Sequence, residues 1–206
     1  MKIRCIALIV VMQLAIYSAG CLSPASVSPP PQTPLPPTPP TPESTRATVT
    51  PGSMALQLSD VPPDYRLKDS TVIAYSEVSQ LARDLDWQQG YQATFYRMNW
   101  EKGDMTGIHQ FISFYPTENI DKVYAIEIEG IRSGKNGTTR HEIPFPTIGD
   151  QSMAFRETRS ADPLDLAIYT VIFTKKNVFE TIMMGGTTTD YETLKYVVRT
   201  AADRIK

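Results

Sequence analysis

From Met54 onward the apolar positions switch between a spacing of two and a spacing of three to four, and the switches divide the chain into strands and helices. Tyr91–Met98 and Ile108–Tyr115 are aromatic and β-branched runs, which predict two strands. The turn residues Glu101–Asp104 between them predict an antiparallel pair. Ala167–Thr174 and Val178–Met184, joined by Lys175-Lys176-Asn177, predict the clearest hairpin. Ser152–Arg156 adds a strand, and Leu56–Asp60 a short edge strand. Ile143 and Phe145 alternate with prolines, which allows an edge strand only. Residues 158–165 carry no such pattern and are expected to form a loop.

Three helices follow from the longer spacing. Val78, Leu81 and Leu85 share a face behind a Ser76 cap, with Trp87 packed beneath the helix end and Gly90 breaking the pattern. Thr117 caps a helix through Glu129 that turns Ile120, either Val123 or Tyr124, and Ile128 inward. Glu118 and Asp121 suit the positive end of its dipole, and Gly130 is placed just past its C-terminus. Leu194, Val197, Val198, Ala201 and Ile205 form the apolar stripe of a last helix, and Thr189 and Glu192 have capping-box spacing. The sum is an α+β domain over residues 54–206: an antiparallel sheet of four to six strands packed with about three helices.

The first fifty residues follow another pattern. Lys2 and Arg4 precede an apolar run from Cys5 to Tyr17, then the small residues Ser18-Ala19-Gly20, which is the layout of an export signal over residues 1–20. The run is short for a membrane span, which takes about 20 apolar residues. Cys21 closes it. Residues 22–53 hold eleven of the 17 prolines, interleaved with Ser and Thr. Proline fixes φ and lacks an N–H, so this segment is expected to be a disordered, semi-rigid tether rather than a packed element. At about 3.1 Å per residue it would span roughly 100 Å when extended.

Ala19-Gly20-Cys21 resembles the lipobox of prokaryotic lipoproteins, with Ser18 where that family carries an aliphatic residue. The resemblance implies lipidation of the Cys21 thiol, a membrane partner reached through that lipid, and an extracytoplasmic location. Ile148-Gly149-Asp150-Gln151-Ser152, the Tyr169–Phe179 hairpin and the C-terminal helix are similar in order to uncharacterised archaeal and bacterial surface lipoproteins and to the Mog1/PsbP-like α+β sandwich. That resemblance implies a binding or assembly module and carries over no functional residue.

Composition narrows the chemistry. The 206 residues carry a net charge of −2, and the chain without Lys2 and Arg4 would be near −4, so no dense basic footprint for nucleic acid is evident. Cys5 and Cys21 are the two cysteines, so residues beyond 21 can form neither a disulfide nor a thiolate metal cluster. No nucleophile elbow, His-Glu-x-x-His or phosphate loop occurs, and neither a catalytic residue, a metal site nor a cofactor is assigned. His109 lies mid-strand and His141 in a polar loop. Asp84 and Asp86 diverge on a helix. Asp150 suits a turn hydrogen bond to the backbone that follows it. Met183 and Met184 point to opposite faces of a strand and form no joint site. Gly185-Gly186 suits a strand-to-helix turn. Asn136-Gly137-Thr138 is a glycosylation sequon that makes Asn136 a candidate acceptor. Among Tyr91, Phe95, Tyr96, Phe111, Phe114 and Tyr115, alternation sends about half inward and leaves the rest for an aromatic binding face. The expected function is a lipid-anchored extracytoplasmic binding or assembly module with a protein or envelope partner. The alternative is an envelope-associated hydrolase with an unrecognised carboxylate site.

Overall fold

A computed structural model of the chain describes residues 50–133, 140–161 and 164–206, all within the unit Arg46–Lys206. Cys21, the proline-rich segment up to Val49 and Asn136 lie outside the described residues.

Among the described residues seven strands form one antiparallel sheet: β1 (Arg66–Ile73), β2 (Gln89–Asn99), β3 (Asp104–Phe114), β4 (Arg140–Ile143), β5 (Gln151–Ala161), β6 (Leu164–Lys175) and β7 (Val178–Gly186). Their order across the sheet is β1-β2-β3-β7-β6-β5-β4. Two meanders, β1 to β3 and β4 to β7, therefore meet along a β3–β7 seam. The described residues also form four α-helices: α1 (Pro51–Met54), α2 (Gln80–Asp84), α3 (Thr117–Arg132) and α4 (Tyr191–Arg204).

Each face of the sheet has its own core. Phe95, Ile108, Ile112, Val171, Phe173, Ile182 and Met184 face α4, whose Leu194, Val197, Val198 and Ala201 meet them. Met54, Ala55 and Leu56 complete this layer as a strap leading in from α1. On the other face Phe155, Ile172 and Phe179 pack with Ile120, Val123 and Ile128 of α3 and with Val78, Leu85 and Trp87 around α2. The apolar stripes of α3 and α4 are the ones their spacing predicts.

Seven strands and four helices exceed the four to six and three expected. β1 was missed because all but the last of its residues are exposed, which leaves its sequence no apolar alternation. Residues 158–165 are mostly strand: β5 runs to Ala161 and β6 starts at Leu164, with Arg159 opposite Leu166. Leu56–Asp60 is not a strand. The Leu56 N–H donates to the Gln110 side chain (2.8 Å), and Gln57 and Asp60 close a 3-10 turn in which the Gln57 N–H donates to Asp60 Oδ2 (2.7 Å).

Helix ends also differ. Ser79, not Ser76, caps α2, accepting from the Ala82 N–H at 3.2 Å, and Leu81 is exposed. Pro116 precedes α3 with no side-chain cap, and Gly130 lies inside that helix, where open space surrounds its Cα and nothing forces a stop. Asp190, not Thr189, caps α4, accepting from the Glu192 and Thr193 N–H groups at 3.2 and 3.0 Å. Gly90 continues β2, buried where a Cβ would meet the Ile112 carbonyl oxygen at 2.9 Å.

The Ile148–Ser152 stretch is a structural clasp. Gly149 sits at φ +63°, and a Cβ there would lie 2.1 Å from the Thr174 carbonyl oxygen. The Asp150 N–H donates to that carbonyl at 2.7 Å, and Ser152 Oγ accepts from the Ile148 N–H at 3.0 Å. Asp150 Oδ2 accepts from the Lys176 N–H at 2.7 Å, not from the backbone after it. That bond holds Lys176 in the left-handed region, at φ 58°, in the β6–β7 turn.

Candidate functional site

β2 and β3 pair without a register shift from Gln89–Phe114 to Asn99–Asp104. Alternation along them sorts the aromatics: Phe95, Phe114 and Tyr115 are buried, Tyr91 packs against the α4-side core, and Tyr96 and Phe111 lie on the opposite face. On that face α3 covers Phe155, Ile172 and Phe179. Farther toward the β2–β3 turn, Tyr96, His109 and Met183 are half-buried and join neither core cluster. Met98 and Met105, which pair directly, extend this surface at 37% and 46% exposure.

Trp100 stands at its end, 82% exposed. The turn that carries it is well fixed. Asn99 Oδ1 accepts from the Glu101 and Lys102 N–H groups at 3.1 and 3.3 Å, and Gly103 at φ +69° completes the reversal. The root of the turn is fixed by Arg97, which pairs with Asp64 at 3.2 Å, donates to the Thr188 carbonyl at 3.1 Å and lies over the Tyr65 ring, 5.4 Å from its centroid. A cleft of about 630 Å³ lies here, lined among others by Asp64, Arg97, Trp100, Lys102 and Asp104. Beneath it, burial pushes the Tyr65 hydroxyl above its ordinary pKa, against the opposing charge of Arg97. Charges of both signs thus surround the Trp100 indole and the Met98 thioether. Trp supplies a large rigid contact area, and Met adapts to irregular apolar partners.

The residues singled out from the sequence have separate places. His109 is bonded through Nδ1 to Thr94 Oγ1 at 3.3 Å, and burial, with a smaller contribution from Lys68, holds its pKa below the ordinary histidine value. Its uncharged ring belongs to the open face. His141 is exposed but lies on β4, paired with Arg156, rather than in a loop. Asp84 accepts from Gln80 Nε2 at 2.7 Å, whereas Asp86 accepts from Asn119 Nδ2 at 3.1 Å, so the two serve different contacts. Met184 is fully buried and Met183 lies on the other face. Gly186 is required by close backbone approach, since a Cβ there would lie 2.0 Å from the Met105 carbonyl oxygen. Among the described residues no group of three or more His, Cys, Asp or Glu is placed to hold a metal ion.

Trp100 was not singled out from the sequence. Its signal was available: a large aromatic inside a polar turn, Asn99-Trp100-Glu101-Lys102-Gly103, has no core within reach. No family model matches the chain, and no curated protein and no solved structure matches it.

Proposed function

We propose that the chain is a lipid-anchored extracytoplasmic binding or assembly module, hung from Cys21 by its proline-rich segment and engaging an apolar partner surface through the β2–β3 turn. The observation that carries this reading is the 82% exposure of Trp100 on a turn held by its own hydrogen bonds. Its position adds support. The described chain leads in through α1, where Gly52 lies against the Tyr91 ring near the start of β2. Trp100 is nine residues farther along, about 30 Å at the rise of a strand. The turn therefore lies at the other end of β2 from the start of the described residues.

The test separates anchor from contact. Cys21→Ser is expected to leave the membrane fraction, and retention there at unchanged mass would defeat the lipidation claim. In that variant, binding to isolated envelope should persist and shift Trp emission to the blue. Adding Trp100→Ala is expected to weaken binding about 30-fold, the effect of losing an interface anchor worth about 2 kcal/mol. Equal binding with and without Trp100 would remove the turn from the reading. A hydrolase is the second reading, favoured by three carboxylates, Asp64, Glu101 and Asp104, on one cleft. Turnover of envelope material that Asp104→Asn abolishes would establish it instead.

A further inference from the structure

The strap between α1 and the 3-10 turn lies over an ionisable group that has no charged partner. Glu180, on β7, is fully buried. Its cross-strand neighbours are Ile112 on β3 and Phe173 on β6. Gln110 Nε2 donates to Glu180 Oε1 at 2.6 Å, and Gln110 Oε1 accepts from the Leu56 N–H at 2.8 Å. Among the described residues Glu180 Oε2 has no hydrogen-bond partner. A buried relay thus runs from the carboxyl group through one carboxamide to the backbone of the strap.

We propose that the strap Pro51–Leu56 is a proton-linked latch, closing over Glu180 when its carboxyl is protonated and lifting to admit water when it ionises. The sheet on either side of Glu180 is held by ladder hydrogen bonds, so it cannot open locally at low cost. Among the described residues the strap's one hydrogen bond to the sheet beneath it is Leu56–Gln110, its polar contact with α4 is the 3.4 Å approach of Arg204 Nη2 to the Ser53 carbonyl, and the rest of its hold is the burial of Met54, Ala55 and Leu56, so lifting it breaks no ladder bond. Lifting it is the least disruptive route by which water can reach a buried carboxylate.

No opposing charge removes the need for a proton. Residues 51–56 carry no ionisable side chain. The inward residues of α4, Val197, Val198 and Ala201, are apolar. The charged groups at the margins are already engaged: Arg204 with Asp60 at 2.9 Å, and Lys175 of β6 with the Ala202 carbonyl at 2.7 Å. Burial, opposed only by the Gln110 hydrogen bond, pushes the Glu180 pKa up to about 8. A lifted strap would return the group toward its ordinary value of 4.5. Opening then becomes about tenfold easier per pH unit between those limits and levels off above the upper one.

Amide hydrogen exchange on the full chain, corrected for the intrinsic rate, tests this. The Leu56 amide is expected to exchange through an opening smaller than global unfolding, with protection at least about tenfold below that of the β3–β7 ladder amides. Its protection should fall about tenfold per pH unit from 5 to 8 in the natural sequence and stay level in Glu180→Gln, which mimics the protonated carboxyl. Protection that matches the ladder amides, ignores pH, or keeps the same slope in Glu180→Gln would overturn the latch.

Discussion

Replacing Glu180 with Gln is expected to stabilise the domain at pH 8 by as much as about 5 kcal/mol while changing stability at pH 5 by less than about 1 kcal/mol. The carboxyl has an ordinary pKa of 4.5 and is pushed up to about 8 by burial. A group whose pKa rises on folding takes up a proton as the chain folds. The stability it lends is full below about 4.5, is lost progressively as pH rises, and is gone by about 8. Gln keeps the acceptor that Gln110 uses and removes the proton demand. Urea unfolding from pH 5 to 9 checks this: the natural sequence should weaken steadily to about pH 8 and the variant should not. Parallel curves would mean that Glu180 stays charged in the folded domain. Glu157 has the opposite sign. Burial raises its pKa, but hydrogen bonds from Arg159 and Arg140 outweigh burial and hold it below the ordinary value. Its contribution is therefore present above 4.5 and is lost as pH falls through the depressed pKa.

Gly149→Ala is expected to cost more than about 3 kcal/mol, and Gly130→Ala to gain about 0.5–1 kcal/mol. The two glycines differ in surroundings, not in exposure. At Gly149 a side chain must occupy a left-handed backbone and approach the Thr174 carbonyl oxygen to 2.1 Å. That carbonyl belongs to β6 and cannot move without releasing the Asp150 clasp. At Gly130 nothing lies within 4 Å of an added Cβ, and the backbone is helical. Thermal unfolding should place Gly149→Ala about 10 °C below the natural sequence and Gly130→Ala a few degrees above it. A Gly149→Ala variant of unchanged stability would show that the clasp yields easily.

The elements legible in the sequence were those with one wet and one buried side. Ile120, Val123 and Ile128 on α3, and the stripe of α4, carry their spacing openly because each helix has a single apolar face. The β6–β7 hairpin was legible from its paired apolar runs. β1 was hidden because an exposed edge strand buries almost nothing. Leu56–Asp60 misled because Leu56 and Leu58 alternate like strand residues, whereas Leu56 is buried with its N–H on a side chain and Leu58 is exposed in a 3-10 turn. The surface around Trp100 was partly legible: alternation predicted that some aromatics face outward, and Tyr96 and Phe111 do. The most exposed member escaped because turns are judged by their polar residues. Nothing in local pattern could pair Gln110 with Glu180, since 70 residues separate them.

That separation also bears on how the chain finds its shape. Each meander can assemble from neighbouring hairpins, whereas closing the seam between β3 and β7 must wait for a long loop to be drawn in. The seam is therefore expected to be the slow step of folding, with two unpaired edges exposed until it is done. Its alignment is not left to greasy contacts alone. A slip of two residues that set Gln110 opposite Met184 and Glu180 opposite Phe114 would keep the same sides facing inward but part the amide from the acid among hydrocarbons, so this polar pair rejects a misaligned closure that hydrophobicity would tolerate.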